Sequence, residues 1–240
     1  MIQEISPVST SILIPGKQEK LPTQLWFENF GTFLKSHPDD KKFCERLTDE
    51  FWKTRPKKLK ELDNIFQEFP HTENVGDHSY HVATNLDTAV SYNGENYLKD
   101  KPDIIKVVRT AAILHDIGKR RSLSERHTYE SAQEVEQYLK WMDFSDREIN
   151  LCLHLIAHHD IIGKVANPKA KETIDDIIKI CLESPIVLQC LWTFTMADIG
   201  SIKGIMESTP NILNIITKIT RAADYQLKKR KERKLLSLPK

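Results

Sequence analysis

The sequence predicts an all-α protein. Apolar positions recur at spacings of three and four along most of the chain, strand-like alternation is scarce, and no internal repeat points to a solenoid or propeller. At 240 residues the chain is long enough for one sizeable core. Residues 1–22 hold three prolines among fragments without a clear period and read as a flexible arm. From Leu25, the positions Trp26, Phe30, Phe33 and Leu34 fall on one helical face, and Phe43, Leu47, Phe51 and Trp52 do so again after SHPDD. KKLKELDNIFQEF gives a third helix, so that residues 23–69 form a helical extension expected to pack on the larger C-terminal part of the chain. PHTENVGD is a loop of turn formers, leading into HSYHVATNLDTAV with Val82, Leu86, Ala89 and Val90 on one stripe.

The next helix opens on Pro102, at home in a first turn, and runs through PDIIKVVRTAAILHD. It stops before Gly118, which suits a left-handed C-terminal cap. Further helices are expected at about 128–141, 145–159, 171–182, 184–198 and 210–234.

Composition narrows the function classes. Lys and Arg number 35 against 34 acids, so no global charge argues for nucleic acid. Cys44, Cys152, Cys181 and Cys190 lie far apart with no CxxC spacing, which argues against a zinc ribbon or a redox pair and suggests small core residues in a reducing compartment. The first twenty residues have no basic region followed by an apolar stretch, and no apolar run reaches the length of a membrane span. A soluble, cytoplasmic protein is expected.

Polar residues interrupt the apolar stripes at a few positions. His78 continues through Val82 and Leu86, whereas His81 shares its face with Asn85 and Thr88, so His78 is the one directed inward. Val187, Leu191 and Phe194 lead by helical steps to Asp198, which places a carboxylate on a buried face. His115 and Asp116 end an apolar helix, where the backbone leaves the helical path and adjacent side chains can reach one point. A buried carboxylate needs a partner, and three helices supplying imidazoles and carboxylates suit a divalent ion such as Fe, Mn, Ni, Co, Zn or Mg.

The order H…HD…D, here His78, His115-Asp116 and Asp198, in the contexts HSYHVA and LHDIGK, resembles the HD-domain metal-dependent phosphohydrolase superfamily in its HDIG form. The resemblance covers roughly residues 70–205. It implies a helical bundle with metal held between helices, here a domain spanning 70–217 followed by a basic helix end or tail at 218–240. RHTYESA and LIAHHD are similar to the family's later elements. They imply a second metal position formed by His127 with His158 or His159. His159 continues the stripe of Cys152, Leu155 and Ile156, but the family more often uses the first of such a pair, so His158 is favoured. Asp116 would then serve both ions.

A divalent ion with an open position brings the pKa of bound water toward neutrality, and phosphorus is a natural target for the nucleophile so formed. Lys119 is placed to neutralise phosphate charge, with Arg120 and Arg121 extending the basic run. His81, or whichever of His158 and His159 is not a ligand, is the candidate general acid. The chain lacks the GYP signature of cyclic dinucleotide phosphodiesterases and the ED pair of alarmone hydrolases. The expected substrate is therefore a nucleotide, a dinucleoside polyphosphate or another small phosphate ester. Two other readings stand beside this one. An HD-fold di-iron oxygenase would use the same residues. Alternatively, a binding module would touch nucleic acid, an acidic partner or an anionic membrane through KKRKERK. The N-terminal aromatics are expected in the core, with the pocket mouth or a homodimer contact as alternatives.

Overall fold

The computed structural model describes residues 20–36, 43–68, 70–92, 98, 101–121, 123–124 and 126–236. Most of the expected N-terminal arm, and the SHPDD break after Ser36, lie outside them. The described chain is helical, with one isolated antiparallel bridge, Phe66 to Asn74, among these residues. In order, the helices are α1 (Pro22–Ser36), α2 (Phe43–Arg46, continued by a π-helical stretch Leu47–Trp52), α3 (Lys57–Lys60), α4 (Val75–Tyr92), α5 (Pro102–Leu114) and α6 (His127–Trp141). They continue with α7 (Asp146–His158), α8 (Ile161–Ala166), α9 (Ile174–Ile180), α10 (Pro185–Ser201), α11 (Lys203–Ser208) and α12 (Ile212–Leu236).

Local chemistry explains the boundaries. Asn74 accepts from the Asp77 amide at 2.8 Å and so starts α4 three residues before His78. Ser145–Glu148 and Thr173–Asp176 form reciprocal capping boxes for α7 and α9. The expected helix at 57–69 is cut short. After α3, a 3-10 turn ends at Asn64, and Ile65 swings out to φ −105°, ψ 101°, so that Phe66 pairs with Asn74 and closes a loop. α8 and α11, six residues each, are too short for periodicity to reveal.

The centre of the molecule is α10. Its residues Leu188–Ala197 are all buried, with α4, α5, α7, α8 and α12 packed around it. The N-terminal helices seat an aromatic cluster on this bundle: Phe27 stacks on Tyr138 of α6 at 4.3 Å between centroids, and the Arg109 guanidinium of α5 lies 4.1 Å over Phe43. Phe30 and Trp52 are buried, while Trp26 and Phe51 are partly so. Cys152, Cys181 and Cys190 are free and buried. α12 docks through Ile216, Ala223 and Leu227 and runs unbroken past residue 217. Its basic end is partly neutralised within the fold, by Arg230–Asp175 at 2.8 Å and by Lys234–Glu183. Among the described residues no single helix is long and apolar enough to cross a membrane.

Gly118 corrects a sequence expectation. Among the described residues no glycine has positive φ, so it is not a left-handed cap. α5 ends at Leu114, and Gly118 lies in a 3-10 turn, Ile117–Arg120, pressed against the start of α6. Its amide donates to Ser131 Oγ at 2.8 Å, and a Cβ added there would lie 2.5 Å from the His127 carbonyl oxygen and 2.7 Å from the Ser131 amide. Gly118→Ala forces backbone apart, and we expect the protein to lose about 1–3 kcal/mol. Thermal unfolding should show this as a melting temperature several degrees lower.

Candidate metal centre

Five side chains from four elements meet at the C-terminal end of α5. His115 keeps helical angles, whereas Asp116 turns off the helical path at φ −105°, ψ 8°. Both side chains therefore face one buried space, 1% exposed each. His78 arrives from α4, His127 from the first residue of α6, and His159 from the end of α7. Two ligand sets result, His78–His115–Asp116 and Asp116–His127–His159, each with its ligand atoms within 4.8 Å of one another. Asp116 belongs to both. Its Oδ2 lies 3.3 Å from His115 Nε2 and 3.9 Å from His78 Nε2, and its Oδ1 lies 3.3 Å from His127 Nε2. Asp198 on α10 joins through His78, Oδ1 to Nε2, at 3.0 Å.

Every histidine of the cluster is anchored by its other nitrogen. Nδ1 of His115, His127 and His159 donates to the carbonyls of Ala112, Ser124 and Ile156 at 2.8, 2.8 and 2.9 Å. His78 Nδ1 lies 3.0 Å from Ser201 Oγ, whose hydroxyl donates to the Asp198 carbonyl at 2.7 Å and so must accept from the ring. A carbonyl forces the proton onto Nδ1 of His115, His127 and His159, which leaves the Nε2 lone pair of each of these rings, when neutral, for the cluster. His115 Nε2 and Asp116 Oδ1 are buried without a hydrogen-bond partner. Unsatisfied imidazole and carboxylate atoms facing each other, with their far sides tied down, are what a divalent cation requires. The residues fit a metal ion, and the shared Asp116 suits two.

Electrostatics agree. Burial works to raise the Asp116 pKa, but His115, Lys119 and His127 beside it hold the carboxyl well below its usual range. Asp198 is likewise lowered, the His78 bond and charge outweighing burial. Burial opposes charge on His78, but Asp198, Glu73 and Asp116 push its pKa up to about 9. Burial, helped by the charge of His115, lowers His159.

Several sequence expectations need correction. His159, 4% exposed and edge-on to His115 at 4.8 Å, enters the cluster. His158 does not: its ring lies against His154 and Tyr129 on the outer side of α7. Adjacent helical residues point about 100° apart, so only one of the pair can follow the buried stripe. His81 is 49% exposed and bonded to Glu73 at 2.7 Å, outside the cluster. Arg120 and Arg121 are drawn to carboxylates rather than to the site: Arg120 pairs bidentately with Glu134 at 2.6 and 2.7 Å and with Glu61 at 3.0 Å, and Arg121 reaches Glu134 at 3.3 Å. Only Lys119 of the basic run touches the cluster, 2.7 Å from Asp116 Oδ2. Sequence reasoning missed the Ser201 hydroxyl, three residues beyond Asp198. It also missed His71 and Gln67, which lie in a stretch read partly as helix and partly as plain loop.

The geometry separates the paired histidines experimentally. His159→Gln should weaken metal binding by more than about a hundredfold, beyond the usual cost of disturbing an outer hydrogen-bond partner, while His158→Gln leaves it unchanged. Elemental analysis after dialysis reads both. Because a metal must displace the proton on His78, apparent affinity should climb about tenfold per pH unit until the pH reaches the His78 pKa, about 9. Proton release on titration with metal checks the sign.

No curated protein matches the chain. The family model of the HD domain matches residues 75–182, a span that holds His78, His115, Asp116, His127 and His159 and stops short of Asp198. Over these residues the chain is similar to the HD domain, a helical fold.

Proposed function

We propose that the protein is a metal-dependent phosphohydrolase acting on a phosphoester or phosphoanhydride of a small molecule, with nucleotides the first class to test. The observation that carries this reading is the cluster itself: four anchored imidazoles and a shared buried carboxylate, with Lys119 as the one cation beside them among the described residues.

A bound divalent ion would supply a water acidified toward neutrality and a charge to offset phosphoryl oxygens. The chain's own groups do the rest. His78, His115, Asp116 and Asp198 are the proposed ligands on one side, and Asp116, His127 and His159 on the other. The backbone carbonyls and Ser201 hold the rings in one tautomer, and the lowered pKa keeps Asp116 anionic across the neutral range. Phe194 closes the floor, its ring 5.4 Å from His115 and 5.5 Å from His159, and excludes water from behind. Lys119 is placed to counter charge on the substrate. Neither His81 nor His158 reaches the cluster, so the leaving-group proton is assigned to neither.

The di-iron oxygenase reading uses the same side chains, but Lys119 on the shared carboxylate favours an anionic substrate. The test is a phosphate-release screen over nucleotides and simple esters, using protein stripped by chelator and reloaded with single metals. Stripping should abolish release, reloading should restore it, and Asp116→Asn should abolish both metal binding and activity with helicity kept. An iron charge-transfer band with oxygen uptake and no phosphate release would overturn the reading.

A further inference from the structure

The loop described over residues 66–68 and 70–74 supplies no ligand to the cluster, yet it leans on it. It is closed by the Phe66–Asn74 bridge and by the Val75 amide donating to the Ile65 carbonyl at 2.9 Å. It is also backed by α11, where a Cβ at Gly204 would come within 2.3 Å of the Pro70 carbonyl oxygen. Gln67 Oε1 accepts from Lys119 Nζ at 2.6 Å. A lysine can only donate, so this contact fixes the amide orientation and turns Nε2 away from Lys119. That Nε2 is buried and has no partner. The His71 ring meets His78 edge to face at 5.0 Å, and its Nδ1 is also buried and has no partner. Glu73 Oε1, the third such atom in this stretch, faces His78 Nδ1 at 3.8 Å. An unsatisfied buried polar group costs on the order of 1–3 kcal/mol, so Gln67 and His71, which have no such neighbour of opposite charge among the described residues, require an explanation.

We propose that Gln67 and His71 are substrate-binding residues which, with Lys119, form a cradle for a phosphoryl group beside the histidine–aspartate cluster. The choice of phosphate as the ligand rests on the phosphohydrolase reading; the cradle itself rests on the loop. Lys119 uses two of its three N–H bonds, on Asp116 and Gln67, and the third is available to an oxygen. The Gln67 amide adds neutral N–H donors. The His71 imidazole carries at least one N–H in either protonation state, so its contribution does not depend on titration. One fixed cation with neutral donors suits an oxyanion that must be held but later released. Arg120, the other cation nearest in sequence, is held away by Glu134 and Glu61.

The test uses the full-length, metal-loaded protein with inorganic phosphate in calorimetry and p-nitrophenyl phosphate in turnover. Gln67→Met and His71→Leu should each raise the phosphate Kd and the KM by about tenfold or more, the scale of a lost hydrogen bond to a charged group, with bound metal unchanged. His71→Gln, which keeps a donor, should recover most of the loss. Where either truncation melts early, Gln67→Glu, with the same shape and the donor replaced by an acceptor, and His71→Gln give the comparison. Phosphate affinity and KM unchanged in both positions, with metal retained, overturn the cradle and leave the hydrolase reading standing. Weakened phosphate binding in variants of a protein that hydrolyses no ester removes the hydrolase reading and keeps the cradle.

Discussion

A carboxylate buried at the end of a helix is the constraint around which the rest of this structure is organised. An ion the size of Asp116 loses several kcal/mol on leaving water unless charges and donors replace the solvent. Here the replacement comes from His115 on the same chain turn, from His127 across a 3-10 turn and from Lys119 one turn on. Each is needed within hydrogen-bond or near-contact range of two oxygens, which dictates where α5 must stop and where α6 must begin. Gly118 is the consequence: only a residue without a side chain lets the first turn of α6 come close enough for His127 to reach Asp116.

The same demand shapes the helices around α5. α10 is buried along ten consecutive residues, so its position is set by packing on all sides rather than by one amphipathic stripe. A helix so confined presents Asp198 and Ser201 to His78 without freedom to drift, and its Thr195 hydroxyl donates to the His159 carbonyl at 3.1 Å. The anchoring of His78, the placement of His159 and the wall at Phe194 thus trace to one element. The supports of the site belong to the core, which is a condition for holding unsatisfied ligand atoms apart for a cation.

The sequence made the fold class and the inward direction of His78, His115, Asp116 and Asp198 legible, because each sits on, or ends, a long apolar stripe whose period is set by helical geometry. It was less informative where geometry depends on neighbours distant in sequence. Between His158 and His159 the stripe through Cys152, Leu155 and Ile156 already pointed to the second, and weighting family habit over periodicity chose the other. Arg120 and Arg121 looked available beside HDIGK because Glu134, which captures both, lies on α6 and is brought to them only by the fold. The helix expected through residue 69 failed because Ile65 and Phe66 continue an apolar pattern that the chain uses for a bridge, not for another turn.

Lys119 shows how these parts depend on one another. In the structure its ammonium sits on Asp116 Oδ2 and on Gln67, where it supplies part of the positive charge that the buried carboxylate needs. A divalent ion sharing Asp116 would take over that charge, weakening the hold of the carboxylate on the lysine without moving the helix that carries it. Lys119 would then keep its bond to Gln67, which aligns it with the loop rather than with the ligands. On the proposed reading, metal loading and substrate capture would be linked through a single side chain, with no motion larger than a change of hydrogen-bond partner.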